Sequence, residues 1–406
     1  MKRVGQVRGS TTTADDVAVL PLGPLELVAA YHSRGRVSGR THGLYRYPAR
    51  FSPALVEAAV SSLSEPDDVI LDPFVGGGTT AVESLALGRR FVGLDINPIS
   101  TLLTRVKTTP LYARDVQELE RWVTDSVTNP APASAPSDDR LRNAPDDIAQ
   151  ALAPFVGAVE SLRTPRQREA ARVVLLDAAQ RAIDGRQASL AGTEMPRLIR
   201  ASLEGLVDGI RDLMESVRGN DRRPSGLIQR RVIRCGDTAT LARSRGLNRL
   251  AGRARLVITS PPYPGVHVLY HRWQVGGRTE TPMPYWIADA QDGLGPKHYT
   301  MGGRSLLGVN DYFRRIEDAW SAVRRLLTRD ALVVQLVAFG DVSAQMPRYL
   351  AAMTAAGYER ATDLEPAVWR DVPNRRWYYR VNPARETARE ILLVHRVASV
   401  PATDTC

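Results

Sequence analysis

The residues most suited to chemistry lie in the segment VITSPPYPGV, residues 257–266. Two consecutive prolines, Pro261 and Pro262, cannot continue a helix or a central strand, because proline lacks a backbone donor and its ring fixes φ. Ser260 places a hydroxyl on one side of this stiff stretch, and Tyr263 places an aromatic ring on the other. We therefore expect a rigid turn at the end of a strand, built to present these groups to a ligand.

A second candidate site is the glycine-rich segment DPFVGGGTT, residues 72–80. Glycines let backbone amides approach a ligand closely, and a following helix N-terminus favours polar or negative groups. The segment lacks the spacing of the general dinucleotide fingerprint and the Lys of a phosphate loop. An acid, Asp95, follows about 20 residues later, where a carboxylate often holds an adenosine ribose. The pattern predicts an adenosine-type ligand; the alternative is a tight turn with a solvent-facing Asp95.

An alternation of strands and helices must position these segments. An apolar run before the glycine turn, a helix at 79–87 and a second apolar run at 89–98 predict a βαβ unit with parallel strands. A Pro/Ala/Ser/Asp-rich stretch at 127–147 interrupts this pattern, and helical periodicity follows it. We expect further strands and helices at 227–237, 253–263, 309–327, 331–340, 344–356, 376–381 and 389–396.

Composition limits the class of protein. The chain has 406 residues, a net charge of +10 and a pI near 9.9, which suits a polyanionic partner such as nucleic acid. Only three lysines occur, so a bias towards arginine codons is the alternative explanation. The two cysteines, Cys235 and Cys406, exclude a disulfide scaffold and a multi-cysteine metal site, and they favour a cytoplasmic setting. No apolar stretch has the length of a membrane span or a secretory signal.

Three segments together resemble the amino-type DNA methyltransferases. DPFVGGGTT is similar to their cofactor loop, Asp-Pro-Phe-x-Gly-x-Gly-Thr-Thr, and TSPPY to their catalytic tetrapeptide. HGLYRYPARFSP (42–53) resembles the element that covers the methionine end of the cofactor. The resemblance implies a Rossmann-like class I α/β domain with a mixed, mostly parallel seven-stranded sheet. This domain would comprise 41–107 and 231–406, with an N-terminal extension at 1–40 and a helical insertion at 108–230.

The family implies S-adenosylmethionine as methyl donor, and duplex DNA with a flipped base as acceptor. The matching catalytic positions are Ser260, Pro261, Pro262 and Tyr263. The matching cofactor positions are Tyr45, Pro48, Phe51, Asp72, Pro73, Phe74, Gly76, Gly78, Thr79, Asp95, Asn97 and Asp237.

The family reaction explains the residue types of the tetrapeptide. An exocyclic base amine is a poor nucleophile, because its lone pair is delocalised into the ring. Two fixed acceptors, the Ser260 hydroxyl and the Pro261 carbonyl, would turn that lone pair towards the methyl group, while Tyr263 stacks on the base. Transfer would be direct, since neither cysteine has the sequence context of a carbon-5 nucleophile. Serine at the first position favours N4 of cytosine, with N6 of adenine as the alternative.

Other functions stay open at this stage. A structured-RNA methyltransferase can share the same motifs, and an inactive methyltransferase-like subunit that only binds is a third hypothesis. The intact motifs argue against the inactive subunit. A restriction or defence partner is also left open by the sequence.

Two segments are candidates for reading the target. Residues 108–230 carry Arg163, Arg166, Arg168 and Arg172, which suit phosphates, although they also suit a solvated helical face. Residues 264–308 mix aromatic with basic side chains, which suits base stacking, although a small satellite core is the alternative. The side chains concerned are His267, Tyr270, His271, Arg272, Trp273, Tyr285 and Trp286. His267 and His271 have metal-ligand spacing, but no third ligand accompanies them, and we predict no metal.

Overall fold

The structure is a computed structural model. It describes residues 30–31, 39–47, 52–130, 138–184, 188–220, 222–264, 271–277, 279–293, 296–299, 301, 306–364, 369–371 and 389–399. Several sequence predictions therefore lie outside the described residues. They are most of the extension at 1–40, the cofactor residues Pro48 and Phe51, the aromatic-segment residues His267 and Tyr270, and the strand expected near 376–381.

A single mixed sheet forms the centre of the fold, in the order β3-β2-β1-β4-β7-β10-β8. The first five strands of this order pair in parallel, and β10 runs antiparallel to both of its neighbours. A short strand, β9, pairs with the other end of β10. The predicted mixed, mostly parallel sheet of seven strands is thus confirmed, with β9 as an addition. The strands are β1 (Val69–Asp72), β2 (Arg90–Asp95), β3 (Arg231–Cys235), β4 (Ala254–Thr259), β7 (Leu327–Phe339), β8 (Tyr358–Arg360), β9 (Trp369–Asp371) and β10 (Arg389–Val397).

Helices cover both faces of this sheet, which explains why its inner strands are mostly apolar. Successive residues of a strand point to opposite faces, so Ile70 packs under one helical layer and Leu71 under the other. The first layer holds α1 (Pro53–Leu63) and α2 (Thr79–Ala86), and the second holds α8 (Thr238–Ala242), α10 (Leu306–Arg324) and α11 (Val342–Ala355). None of the helices that the structure describes is long and apolar enough to span a membrane.

The region between β2 and β3 is helical, as the sequence predicts. It contains α3 (Pro98–Lys107), α4 (Ala113–Thr128), α5 (Asp146–Gly157), α6 (Pro165–Ile183) and α7 (Met195–Gly219). Helix α6 is buried on nearly every side from residue 170 to residue 183, as expected of the central helix of a bundle. The hydrophobic core of this helical bundle also includes side chains from 44–45 and from 273–299. These two distant segments therefore fold together with the helical region.

The segment after β4 contributes a small hairpin and a helix to that same core. The hairpin pairs β5 (Trp273–Val275) with β6 (Thr279–Thr281), and α9 (Met283–Ile287) follows it. All five residues of α9 are buried. This part of the chain thus packs against the helical region rather than standing out as an open loop.

Candidate active site

The glycine turn and the Ser-Pro-Pro-Tyr segment lie beside each other. They follow β1 and β4, which are adjacent parallel strands, so their carboxyl ends meet at one edge of the sheet. One cleft of about 1060 Å³, including its solvent-open part, is lined by both segments. The site residues predicted from the sequence that line this cleft are Asp72, Phe74, Gly76, Thr79, Asp95, Asn97, Asp237, Ser260, Pro261, Pro262 and Tyr263.

The backbone of the glycine turn requires glycine at two of its positions. Gly76 has φ of +47° and Gly78 has φ of +80°, in the left-handed region that side chains other than glycine disfavour. A Cβ on Gly78 would lie 2.8 Å from the Thr104 Oγ1 of α3, and one on Gly77 would lie 2.9 Å from the Cβ of Tyr47. The turn is therefore packed from below by α3 and from the side by Tyr47, leaving its remaining side to the cleft.

Asp95 closes the floor of the cleft at the end of β2. Its Oδ2 accepts a hydrogen bond from the Gly76 N–H at 2.8 Å, and its Oδ1 accepts one from the Asn97 N–H at 2.8 Å. The Ser100 side chain also hydrogen-bonds this carboxylate, which still leaves it acceptor capacity for a ligand. Burial raises the pKa of Asp95 to about 6. The geometry suits a carboxylate that holds hydroxyl groups while it is ionised.

Asp72 connects the two motifs. Its Oδ1 accepts hydrogen bonds from the Phe74 N–H at 3.1 Å and from the Thr259 hydroxyl at 2.7 Å, the residue before Ser260. Burial raises the pKa of Asp72 to about 6, while the bond from Thr259 opposes that rise. This carboxylate fixes the end of β1 against the end of β4 and so sets the spacing between the two loops.

The remaining cofactor candidates divide between cleft and scaffold. Asp237 caps α8 by accepting from the Thr240 N–H at 3.0 Å, and it is exposed at the cleft. The Asn97 side chain is occupied, because it caps α3 and donates to the Tyr285 hydroxyl at 2.9 Å. Thr238 donates to the Pro73 carbonyl at 2.6 Å and thereby joins α8 to the glycine turn.

The tetrapeptide is held by hydroxyl groups on both sides. The Ser260 hydroxyl lies 3.1 Å from the Tyr263 hydroxyl and 3.1 Å from the Leu336 carbonyl oxygen, with donor geometry to both. Tyr263 donates in turn to Oε1 of Glu390 at 2.9 Å. The Pro262 carbonyl accepts from the Tyr312 hydroxyl at 2.8 Å. The segment is consequently a fixed ledge at the cleft wall.

Residues 39–47 reach the cleft because α6 holds their backbone. Asp177 accepts from the Tyr45 N–H at 2.8 Å, and Gln180 bonds both the N–H and the carbonyl of Arg46. This places Tyr47 against the glycines and in the cleft wall. We had expected Tyr45 to bind cofactor, and here the structure requires a correction. Tyr45 is 1% exposed in the helical core, where its hydroxyl accepts from the Trp273 indole at 3.1 Å.

Sequence reasoning missed two further contacts near the glycine turn, of which the first supports the turn directly. The buried Lys107 donates from Nζ to the Gly77 carbonyl at 2.9 Å. Glu83 on α2, which is fully buried, pairs with Arg40 and lies with its Oε1 2.5 Å from His42 Nε2. The sequence offered one signal for these contacts, which is that Lys107 and Glu83 are charged residues at helix positions that face the core.

The described part of the aromatic segment does not present the expected stacking surface. His271, Arg272, Trp273, Tyr285 and Trp286 are all buried. Trp273, Tyr285 and Trp286 pack on the helical region, which favours the alternative that this segment forms a small satellite core. Among the described residues, no group of three His, Cys, Asp or Glu side chains is placed to hold a metal ion.

The arginines expected to contact phosphates are mostly engaged within the protein. Arg166 pairs with Asp115 at 3.1 Å, and Arg168 donates to the Leu162 carbonyl at 2.7 Å. Arg172 is buried and donates to the Ile287 carbonyl at 2.9 Å and to Glu160 at 2.9 Å. Arg163 remains exposed. These guanidinium groups stabilise the helical region, so the phosphate role predicted for three of them is not supported.

A family model of known proteins matches the half of this site that contains the glycine turn. The DNA methylase family matches residues 29–101, which include the glycine turn and Asp95. The Type II methyltransferase M.MjaII of Methanocaldococcus jannaschii is 37% identical over 86 residues, 21% of this chain and 16% of that protein. M.MvaI of Kocuria varians, also a Type II methyltransferase, is 36% identical over 88 residues, 21% of this chain and 19% of that protein.

A third relative is the DNA adenine methyltransferase YhdJ of Escherichia coli, 39% identical over 51 residues, 13% of this chain and 17% of that protein. The chain therefore spans less than a fifth of the length of each of these three relatives. The matched family segment supplies one wall of the cleft, and the Ser-Pro-Pro-Tyr ledge that faces it comes from outside the match. The segment at 29–101 is therefore similar to DNA methylases, and the relatives that share sequence with the chain are Type II methyltransferases and a DNA adenine methyltransferase.

Proposed function

We propose that the protein transfers a methyl group from S-adenosylmethionine to an exocyclic amine of a base in DNA, with N4 of cytosine as the favoured acceptor. The observation that carries this proposal is the shared cleft: the glycine turn and the Ser260 ledge face one space, so donor and acceptor can meet there.

The cleft fits the cofactor in charge and shape. The glycine turn packs too closely on Tyr47 and Thr104 to admit a Cβ at Gly77 or Gly78, and it lies at the cleft beside the N-terminus of α2. Asp95 offers free lone pairs to ribose hydroxyls, and Asp237 offers an exposed carboxylate suited to the adenine amine. Tyr47 replaces Tyr45 as the aromatic residue of the covering element. When bound, S-adenosylmethionine supplies the electrophilic methyl group.

The ledge fits the amine. The Ser260 hydroxyl has a single proton, and both acceptors that it can reach lie within the protein, so its lone pairs remain for an amine N–H. The Pro261 carbonyl is the second proposed acceptor, held by the proline φ. Cys235 is not among the residues that line the cleft, and burial raises the pKa of its thiol, which agrees with a direct transfer.

The choice of base rests on the serine. A neutral hydroxyl at the first position favours cytosine N4, while the similarity to a protein named as a DNA adenine methyltransferase makes adenine N6 the alternative to be measured. DNA is the proposed partner, with the base flipped into the cleft. The restriction partner suggested by the Type II relatives stays a prediction.

The test uses radiolabelled S-adenosylmethionine, duplex DNA and, separately, transfer RNA. After transfer, the nucleic acid is digested to nucleosides and the product is identified by mass spectrometry. We expect N4-methylcytosine from DNA. Ser260→Ala should lose most transfer and keep cofactor affinity, whereas Ser343→Ala, an exposed serine at the start of α11, should behave as the unchanged protein. Methylation of transfer RNA alone would refute the proposal.

A further inference from the structure

One buried acidic residue, Glu390, lies outside the sequence motifs and has no role in the proposed reaction so far. Glu390 stands near the start of β10, 127 residues after Tyr263, and its side chain is 5% exposed. It accepts the Tyr263 hydroxyl proton through Oε1 at 2.9 Å. A carboxylate is seldom buried unless it is bonded. Its placement directly behind the ledge calls for a functional explanation.

The two hydrogen bonds that lead from Ser260 through Tyr263 to this acid run in one direction. An ionised carboxylate can only accept, so Glu390 fixes the Tyr263 proton towards itself. The Tyr263 oxygen is then an acceptor for the Ser260 proton, 3.1 Å away. Ser260 in turn is left with its lone pairs towards the cleft, where the amine would lie. Chains of this kind polarise each other and strengthen.

We propose that Glu390 is the positioning residue of the ledge and the final acceptor of the proton that methyl transfer releases. The inference rests on the proposed function. As the amine nitrogen bonds to the methyl carbon, the carbon–sulfur bond breaks and its electron pair stays on sulfur, leaving a positive charge on nitrogen. One nitrogen proton passes to the Ser260 oxygen, the Ser260 proton passes to Tyr263, and the Tyr263 proton passes to Glu390. The product amine and both hydroxyls end neutral, and Glu390 later returns the proton to water.

The same chain explains how a serine can serve here. A serine hydroxyl free to rotate could point its proton at the amine and would then fail as an acceptor. Because Tyr263 donates to Glu390, its oxygen accepts from Ser260, and with the Leu336 carbonyl also within reach the Ser260 proton points away from the cleft. Glu390 thus acts through Tyr263 and does not touch the base.

The test compares Glu390→Gln, Tyr263→Phe and the double variant in single-turnover methyl transfer, with cofactor and DNA affinities measured in parallel. Glutamine keeps the shape and removes the charge. General acid–base effects are commonly worth about 10²–10⁴-fold, and because the serine remains, we expect the lower end, about 100-fold slower transfer. The affinities should change less than about twofold, well under the tenfold that 1.4 kcal/mol represents.

The double variant should be no slower than the slower single variant, because both changes interrupt one chain. Tyr31→Phe is the matched control. It removes a hydrogen bond at 2.8 Å to the Glu390 backbone carbonyl and leaves the relay, that is, the hydrogen-bond chain Ser260–Tyr263–Glu390, intact, so transfer should persist. Unchanged transfer by Glu390→Gln, or multiplicative losses in the double variant, would overturn the relay alone. Absence of transfer by the unchanged protein would overturn the proposed function and the relay with it.

Discussion

Gly78→Ala offers a sharp test of the glycine turn, because Gly88→Ala serves as a matched control. Both glycines have φ near +80°, at +80° and +77°. They differ in their surroundings: a Cβ on Gly88 meets its nearest atom at 3.6 Å, whereas one on Gly78 lies 2.8 Å from Thr104 Oγ1 and 3.2 Å from the Thr104 Cα. The contact at the backbone atom cannot be relieved by a side-chain rotation.

The expected magnitudes follow from that difference. A left-handed φ at a residue with a Cβ costs roughly 1–2 kcal/mol, which both variants share. Overpacking costs roughly 1–3 kcal/mol more, and only Gly78→Ala should incur it. Urea unfolding with an unchanged m-value would measure this difference in the free energy of unfolding. Because the clash moves the turn, cofactor affinity measured by calorimetry should fall about tenfold or more, or about 1.4 kcal/mol.

Gly88→Ala should leave cofactor affinity intact, since Gly88 ends α2 at the opposite side from the cleft. If Gly78→Ala cost no more stability than Gly88→Ala, the packing of α3 against the turn would be wrong. If it also bound cofactor normally, the turn would not be the cofactor site.

Three further predictions concern charge and support. Burial raises the pKa of Asp95 to about 6, and only the ionised carboxylate accepts through both oxygens, so cofactor affinity should hold above pH 6 and decline as pH falls through 6. In Asp95→Asn, calorimetry should show a weaker affinity with a smaller pH dependence, the remainder coming from Asp72. Gln180→Ala should weaken cofactor binding, although Gln180 does not line the cleft, because two hydrogen bonds to the Arg46 backbone are lost; a normal dissociation constant would contradict this. Arg172→Met should lower the free energy of unfolding by about 1–3 kcal/mol and leave the salt dependence of DNA binding unchanged, whereas loss of a phosphate contact would reduce that slope by roughly 1.

The central sheet could be predicted because its signals are local. Apolar runs such as 331–340 and the glycine turn show their structure within about ten residues, and parallel pairing then brings β1 beside β4. The shared cleft follows from that adjacency alone. The candidate residues at the strand ends are therefore the ones that the structure brings together.

Predictions were less accurate for residues whose role depends on a partner far away in the sequence. Arg172 looked available for phosphate, but its acceptors, Glu160 and the Ile287 carbonyl, are brought to it only by the folded helical region. Tyr45 and Tyr47 are indistinguishable by type, and the Asp177 and Gln180 contacts decide which of them faces the cleft. Glu390 was missed for the same reason, although a glutamate beginning the apolar strand REILLVHRV was a visible anomaly.

The grip of α6 on residues 45–46 has a consequence for protein engineering. If the helical region were a detachable recognition module, it could be exchanged between relatives to change the sequence that is modified. Here the same helix that forms the middle of the bundle also hydrogen-bonds the backbone of residues 45–46, which positions Tyr47 against the glycine turn. A transplanted bundle would have to bring equivalents of Asp177 and Gln180, or the chimera would lose its hold on the methyl donor.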